Sequence, residues 1–334
     1  MLTRRTFLER SACALLLTGN ATAHFDHPLV PKTREAARGR FESRASRSKR
    51  KDSELARLVF LADPGRLRNT VAALSAISTR WSGSPQVALA RDWIAQALLE
   101  SSYPASRVSQ AAFVAPNGLL LHNVLCAPEQ PQDGFILICA HYDSISQRPA
   151  TLAPGADDNA SGIAVMLEVA RIMASERIRK GVMYAAFSGE EQGLWGSEVL
   201  AEQARSGRWP IDVVINMDMV GWVDPARPTN IVIEYDQGNR QPTNDSASKA
   251  FALQMAQLAT DYTSLSVEHT DIWSSDYMPF EARGFPCVGI YDGGADASYY
   301  HTVNDLPQVV SIDRLVQVTR LLLAFVAQSS GLGG

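Results

Sequence analysis

Five short segments of this 334-residue chain carry side chains able to do chemistry. In order they are AHYDS with His141 and Asp143, PGADDNASG with Asp157 and Asp158, SGEE with Glu190 and Glu191, NMDMV with Asp218, and YYHTVND with His301 and Asp305. A set of two histidines and several carboxylates, with no thiolate, suits zinc or another divalent first-row metal. It is too rich in carboxylate for one structural zinc. Two cations about 3.5–4 Å apart are the better match, because a bridging carboxylate and a bridging hydroxide screen their repulsion. Three carboxylate ligands and a hydroxide also balance the four positive charges of two such ions.

Taken singly, each segment has an ordinary explanation. An HxD pair commonly lies on a surface, and a GEE turn is commonly a solvated strand end. Two acids before a helix cap its N-terminus and complement its dipole. His301 beside two tyrosines is, alone, a hydrogen-bonded histidine. The ordinary account must hold for all five segments together, and their order and placement argue against it.

Placement comes from the elements around them. The runs 135–140 (FILICA), 182–187 (VMYAAF), 213–217 (VVINM) and 287–291 (CVGIY) are short and continuously apolar, the pattern of strands covered on both faces. Residues 87–99, 161–173 and 311–328 have helical apolar spacing. Alternation of these patterns from residue 53 onward predicts an α/β fold around a mainly parallel sheet, as one domain over 53–330. His141 and Asp143, Glu190 and Glu191, and Asp218 each follow the carboxyl end of a predicted strand. Loops there form the binding crevice of an open α/β sheet.

Composition narrows the function classes. At 46% hydrophobic and 20% charged residues, the chain is neither disordered nor fibrous. Residues 1–51 hold 12 Lys/Arg and 4 Asp/Glu, whereas the remainder holds 19 basic and 31 acidic residues. That acidic body is a poor nucleic-acid binder. Arg4, Arg5, Phe7 and Leu8, an apolar stretch over 11–18, and Ala21 and Ala23 before His24 read as an export signal over 1–23. TRRTFLE resembles the twin-arginine signal of folded exported proteins, so the expected location is periplasmic or secreted after cleavage near Ala23. Residues 24–52 form a basic arm, expected to be disordered. No later stretch has eighteen uninterrupted apolar residues, so no membrane span is expected. Three cysteines remain beyond the signal, which leaves at least one free thiol, and Cys139 inside its apolar run is expected buried.

In this order, AHYDS, PGADDNASG, FSGEEQGLWGS, NMDMVGW and YYHTVND resemble the dimetal zinc aminopeptidases related to bacterial leucyl aminopeptidase. That superfamily also holds glutamate carboxypeptidase II, the glutaminyl cyclases and the transferrin receptor ectodomain. SSDYMPFEARGFPCVGI and RWSGSP are similar to further family segments, and the likeness spans roughly residues 65–328. The resemblance implies a three-layer αβα sandwich whose mixed, mostly parallel central sheet has helices on both faces. It implies two Zn2+ ions, one held by His141 and Asp218, the other by Glu191 and His301. Asp158 rather than Asp157 would bridge them, followed by a cis peptide to Asn159. Glu190 matches the general base, Asp143 the carboxylate that orients His141, and Asp305 its counterpart behind His301. The implied substrate is a peptide with a free N-terminus.

The chain also departs from the family. Some relatives carry a tyrosine before the SD pair, where this chain reads DIWSSD; oxyanion stabilisation would rest on zinc or another group, such as Tyr277 or Tyr300. A disulfide found in some relatives here cannot form. Two other readings are a glutaminyl cyclase-like acyltransferase with one zinc and a catalytically inactive binding module. GADDNASG resembles the peptidase form of its loop, and Tyr300 stands where the cyclases tend to have tryptophan. All five ligands and the base are present, which argues against an inactive module.

Overall fold

The computed structural model describes residues 53–129, 134–238, 241–294 and 297–332. The signal and arm expected over 1–23 and 24–52 lie outside the described residues. The chain opens with helices α1 (Ser53–Val59), α2 (Pro64–Ser75) and α3 (Val87–Glu100), then strands β1 (Val108–Val114), β2 (Leu120–Cys126) and β3 (Phe135–His141). Next come α4 (Gly162–Met173), β4 (Gly181–Phe187), α5 (Trp195–Ser206), β5 (Ile211–Met217) and β6 (Asn230–Tyr235). The remainder is α6 (Asp245–Tyr262), β7 (Ser266–Asp271), α7 (Met278–Glu281), β8 (Cys287–Tyr291) and α8 (Ile312–Ser330).

All eight strands join one sheet in the order β1-β2-β4-β3-β5-β8-β6-β7. The centre is parallel: β3 pairs with β4 and β5, and β5 with β8. The β1–β2 hairpin joins β4 antiparallel, and β6 joins β8 antiparallel. This is the expected α/β architecture with a mixed sheet.

Strand periodicity explains why the central runs are apolar throughout. Ile136, Ile138 and Ala140 of β3 face one packed layer, while Phe135, Leu137 and Cys139 face the other. Val182, Tyr184 and Ala186 of β4 divide from Met183, Ala185 and Phe187 in the same way. Side chains alternate across a sheet, so helices on both faces demand apolar residues at every position. Truncating fully buried Leu137 to Ala would cost about 2–5 kcal/mol.

The predicted boundaries hold to within a few residues. Expected 311–328 is observed as Ile312–Ser330, because Ser311 is the N-cap: its hydroxyl accepts the Arg314 amide while its backbone stays extended. Ser161, expected to open its helix, belongs instead to the wide turn before α4; its hydroxyl donates to the Asp157 carbonyl and accepts from the Val220 amide. Cys126, Cys139 and Cys287 are all free and buried.

Candidate metal centre

Sheet order alone gathers most of the site. Strands β4, β3 and β5 are neighbours, and parallel strands all point their carboxyl ends the same way. His141 is the last residue of β3, Asp218 follows β5 directly, and Glu190 and Glu191 stand just beyond β4. Adjacent strands lie only about 4.8 Å apart, so these side chains meet at one edge. The other two contributors arrive on loops. Asp158 sits in the turn Ala156–Ser161 before α4, where the Asp158–Asn159 peptide is cis. His301 lies between β8 and α8 with a φ of 53°, a left-handed conformation that costs a non-glycine residue energy.

Asp158 is central to the geometry. Its Oδ1 lies 3.2 Å from His141 Nε2, and its Oδ2 lies 3.1 Å from His301 Nε2. His141 Nε2 is also 3.4 Å from Asp218 Oδ1 and 3.9 Å from Glu190 Oε2. His301 Nε2 is 3.1 Å from Glu191 Oε2. The contacts thus fall into two groups that share Asp158: His141 with Asp218, and His301 with Glu191. Asp157, by contrast, turns away from the histidines; its carboxylate accepts from the Gly221 amide and the Tyr299 hydroxyl.

A supporting layer fixes these groups. Asp143 accepts the amides of Glu190 (3.2 Å) and Glu191 (3.3 Å), one on each oxygen. It therefore sets the Glu190–Glu191 turn, and its Oδ1 stays 3.7 Å from His141 Nδ1, which is nearer the Asp143 carbonyl at 3.2 Å. Ser275 donates to Asp218 Oδ2 at 2.7 Å and is itself held by Asn216. Asp305, expected behind His301, spends both oxygens on the amides of Asp157 and Asp158. Tyr277 is buried, donating to Glu234 and accepting from the Trp273 amide, so its hydroxyl is committed away from the site. Tyr300 stacks on the His301 ring at 3.8 Å.

Ser275 and the fully buried Asp276 were not singled out by spacing. Their only signal was membership of the SSDYMPF segment. Neither Asp276 oxygen has a hydrogen-bond partner, and the nearby Ser197 hydroxyl donates to the Leu194 carbonyl instead.

Without a cation, so many buried carboxylates must hold protons or borrow them. Burial, reinforced by neighbouring acids and only partly opposed by His141, drives Glu190 well above the carboxylate range. Burial likewise lifts Glu191 to about 7, against the pull of His301. Asp158 moves the other way: burial opposes its charge, but the two histidines overcome that and lower its pKa. Burial works against a charge on His301 too, yet Glu191 and Asp158 raise it to about 10.

The donor set fits divalent cations. Glu191 Oε1 is buried with no partner, a lone pair that pays desolvation for nothing unless a cation is there. His141, Glu190 and Asp218 offer atoms within 4.8 Å of one another, and so do His141, Asp158 and Glu191. Hard oxygens with imidazole are what zinc accepts.

Known proteins carry the same arrangement of elements. The chain is 31% identical over 193 residues to a probable zinc metalloprotease of Pyricularia oryzae, covering 51% of this chain and 38% of that relative. It is 24% identical over 277 residues to leucine aminopeptidase 1 of Trichophyton equinum, covering 78% and 73%. It thus spans about two fifths of the first relative's length and nearly three quarters of the second's. The crystal structure of LapB from Legionella pneumophila superposes with a TM-score of 0.72 at 24% identity, over 84% of this chain and 75% of that one. The glutaminyl cyclase of Macrostomum lignano gives 0.71 at 19% identity, over 87% and 97%. Residues 123–326 match the profile of Peptidase family M28. That stretch runs from β2 through α8 and includes every residue of the cluster just described, and by this match the chain belongs to Peptidase family M28.

Proposed function

We propose that this chain is a zinc-dependent aminopeptidase that hydrolyses N-terminal residues from peptides, with two zinc ions and Glu190 as general base. The observation that carries the reading is the divided carboxylate of Asp158, one oxygen toward each histidine. That geometry suits one ion on either side of Asp158. His141 and Asp218 would hold one ion, Glu191 and His301 the other, with Asp158 between them. Such ions, when bound, lower the pKa of coordinated water and polarise a carbonyl.

The chain's own residues do the rest. Glu190 and Glu191 are adjacent, so their side chains diverge: Glu191 turns to His301, while Glu190 stays 3.9 Å from His141. Glu190, beside His141 and not engaged by His301, is placed to accept a proton from the attacking water and return it to the departing amine. Asp143 fixes both glutamates through their amides, which makes it a positioning residue rather than one that touches substrate. The TRRTFLE leader supports action outside the cytoplasm, on extracytoplasmic peptides.

Glu190→Gln tests the assignment. General acid–base catalysis contributes roughly 10²–10⁴-fold, so kcat on aminoacyl anilides should fall at least a hundredfold while zinc stays at two per chain. Retention of a tenth of the wild-type rate would refute the role. Running the same protein on a peptide with N-terminal glutamine separates hydrolysis from cyclisation, the activity named for the Macrostomum structure.

A further inference from the structure

Among the described residues Arg80 is one of the largest side chains to be completely buried, at 0% exposure, and the function described so far does not use it. An arginine taken from water needs its donors satisfied, ordinarily by a carboxylate. Here none accepts from it. Nε donates to the Tyr142 carbonyl at 2.7 Å, Nη1 to the carbonyls of Leu74 (3.0 Å) and Pro154, and Nη2 to the Gly155 carbonyl at 2.7 Å.

These four carbonyls belong to three separate pieces of chain. Leu74 lies in the last turn of α2. Tyr142 sits between His141 and Asp143. Pro154 and Gly155 lead directly into Asp157 and Asp158. Neighbouring bonds tie the same pieces together: Ser144 Oγ accepts from the Arg80 amide at 3.2 Å and donates to the Ala153 carbonyl at 2.7 Å, and the Ala153 amide reaches the Ser78 carbonyl. Gly155 shows how tightly this junction is packed. Its φ is +54°, and an added Cβ would stand 2.4 Å from the Asp158 carbonyl, 2.6 Å from Ser144 Cβ and 2.8 Å from Arg80 Nη2. The Asp158 loop is therefore gripped from two sides, by Arg80 on its carbonyls and by Asp305 on its amides.

We infer that Arg80 is a positioning residue for the metal pair, fixing the bridging carboxylate of Asp158 relative to His141 by clamping both of their loops to the end of α2. The inference rests on the two-zinc reading above. A planar guanidinium spreads five donors over three directions, whereas an ammonium offers three from one point. Lysine at this position keeps the charge and loses the span.

Arg80→Lys in the full chain is the test. Outer residues that orient ligands typically carry ten- to a hundredfold in metal affinity or activity. Cooperative thermal unfolding should persist, while zinc measured by elemental analysis falls from two toward one per chain. On that basis kcat should drop roughly tenfold or more, with KM within about twofold. A folded variant that keeps two zincs at wild-type affinity, merely melting earlier, overturns the inference. Should Arg80→Lys not fold, Ser144→Ala loosens the same junction without touching the guanidinium. It should weaken one zinc about threefold against a competing chelator, a smaller share of the same effect. Unchanged affinity for both zincs in that variant also overturns it. A wild-type chain that takes up no zinc would instead sink the two-zinc reading itself.

Discussion

Glu168 and Glu191 are both buried, at 3% and 7% exposure, yet their oxygens are treated in opposite ways. Glu168 in α4 accepts the Asp63 amide at 2.8 Å and two N–H groups of Arg171 at 2.9 and 2.7 Å. Each of its oxygens is occupied, and the pair ties α4 to the start of α2. Glu191 has one oxygen near His301 and the other without a hydrogen-bond partner. A buried carboxylate whose acceptors are filled ties elements together, whereas one with an acceptor to spare beside two histidines and other carboxylates, as Glu191 has, leaves room for a cation. Burial alone does not separate structure from function in this molecule. The difference lies in whether hydrogen-bond donors and acceptors balance.

Substituting each glutamate should break that contrast most sharply. Glu191→Gln should leave about one zinc per chain by elemental analysis and lower kcat/KM at least a hundredfold, since a ligand matters more than the outer residues worth ten- to a hundredfold. Its metal-free form should be no less stable than the metal-free parent, because an uncompensated buried acid has gone. Glu168→Gln should do the reverse, losing about 1–3 kcal/mol in denaturant unfolding with both zincs retained. Ser275→Ala removes the hydroxyl that steers Asp218 and should weaken one zinc about tenfold in chelator competition.

A last effect is a dependence on pH. Burial first, then the charge of Asp158, lifts Glu191 to about 7 in the metal-free protein, from an ordinary value of 4.5. The folded state then binds more protons than the unfolded state, so this group's contribution to stability is present below pH 4.5 and is lost as pH rises through about 7. Thermal unfolding of chelator-stripped protein should show that decline between pH 4.5 and 7. In Glu191→Gln the slope should flatten; an unchanged slope would mean another group is responsible.

The central strands were legible because burial on both faces leaves an unmistakable run. FILICA matched β3 to within one residue, and CVGIY matched β8 completely. The hairpin β1–β2 left a weaker trace, since β1 is mostly exposed and only Phe113 along it is buried. The site residues were legible from type, order and position after strands, with the family resemblance choosing Asp158 over Asp157. In the structure Asp157 accepts from Gly221 and Tyr299, whereas Asp158 lies between the two histidines. Partners within the supporting layer were not legible. Asp305 looked like a companion of His301 and instead holds two amides 147 and 148 residues earlier in the chain. Tyr277 looked available and is tied to Glu234.

The sequence by itself determined which groups exist and at which end of the sheet they emerge, because strand and helix periods are local and the crossover connections are parallel. What it left open was the saturation of each polar atom. Whether Glu168 is filled, Glu191 is left with a spare lone pair, or Arg80 finds four carbonyls depends on segments that approach only after the sheet has closed. Hydrogen bonds are short-ranged and directional, so no spacing along the chain encodes them. Only the packed tertiary structure decides which buried charge is already satisfied and which keeps a spare acceptor.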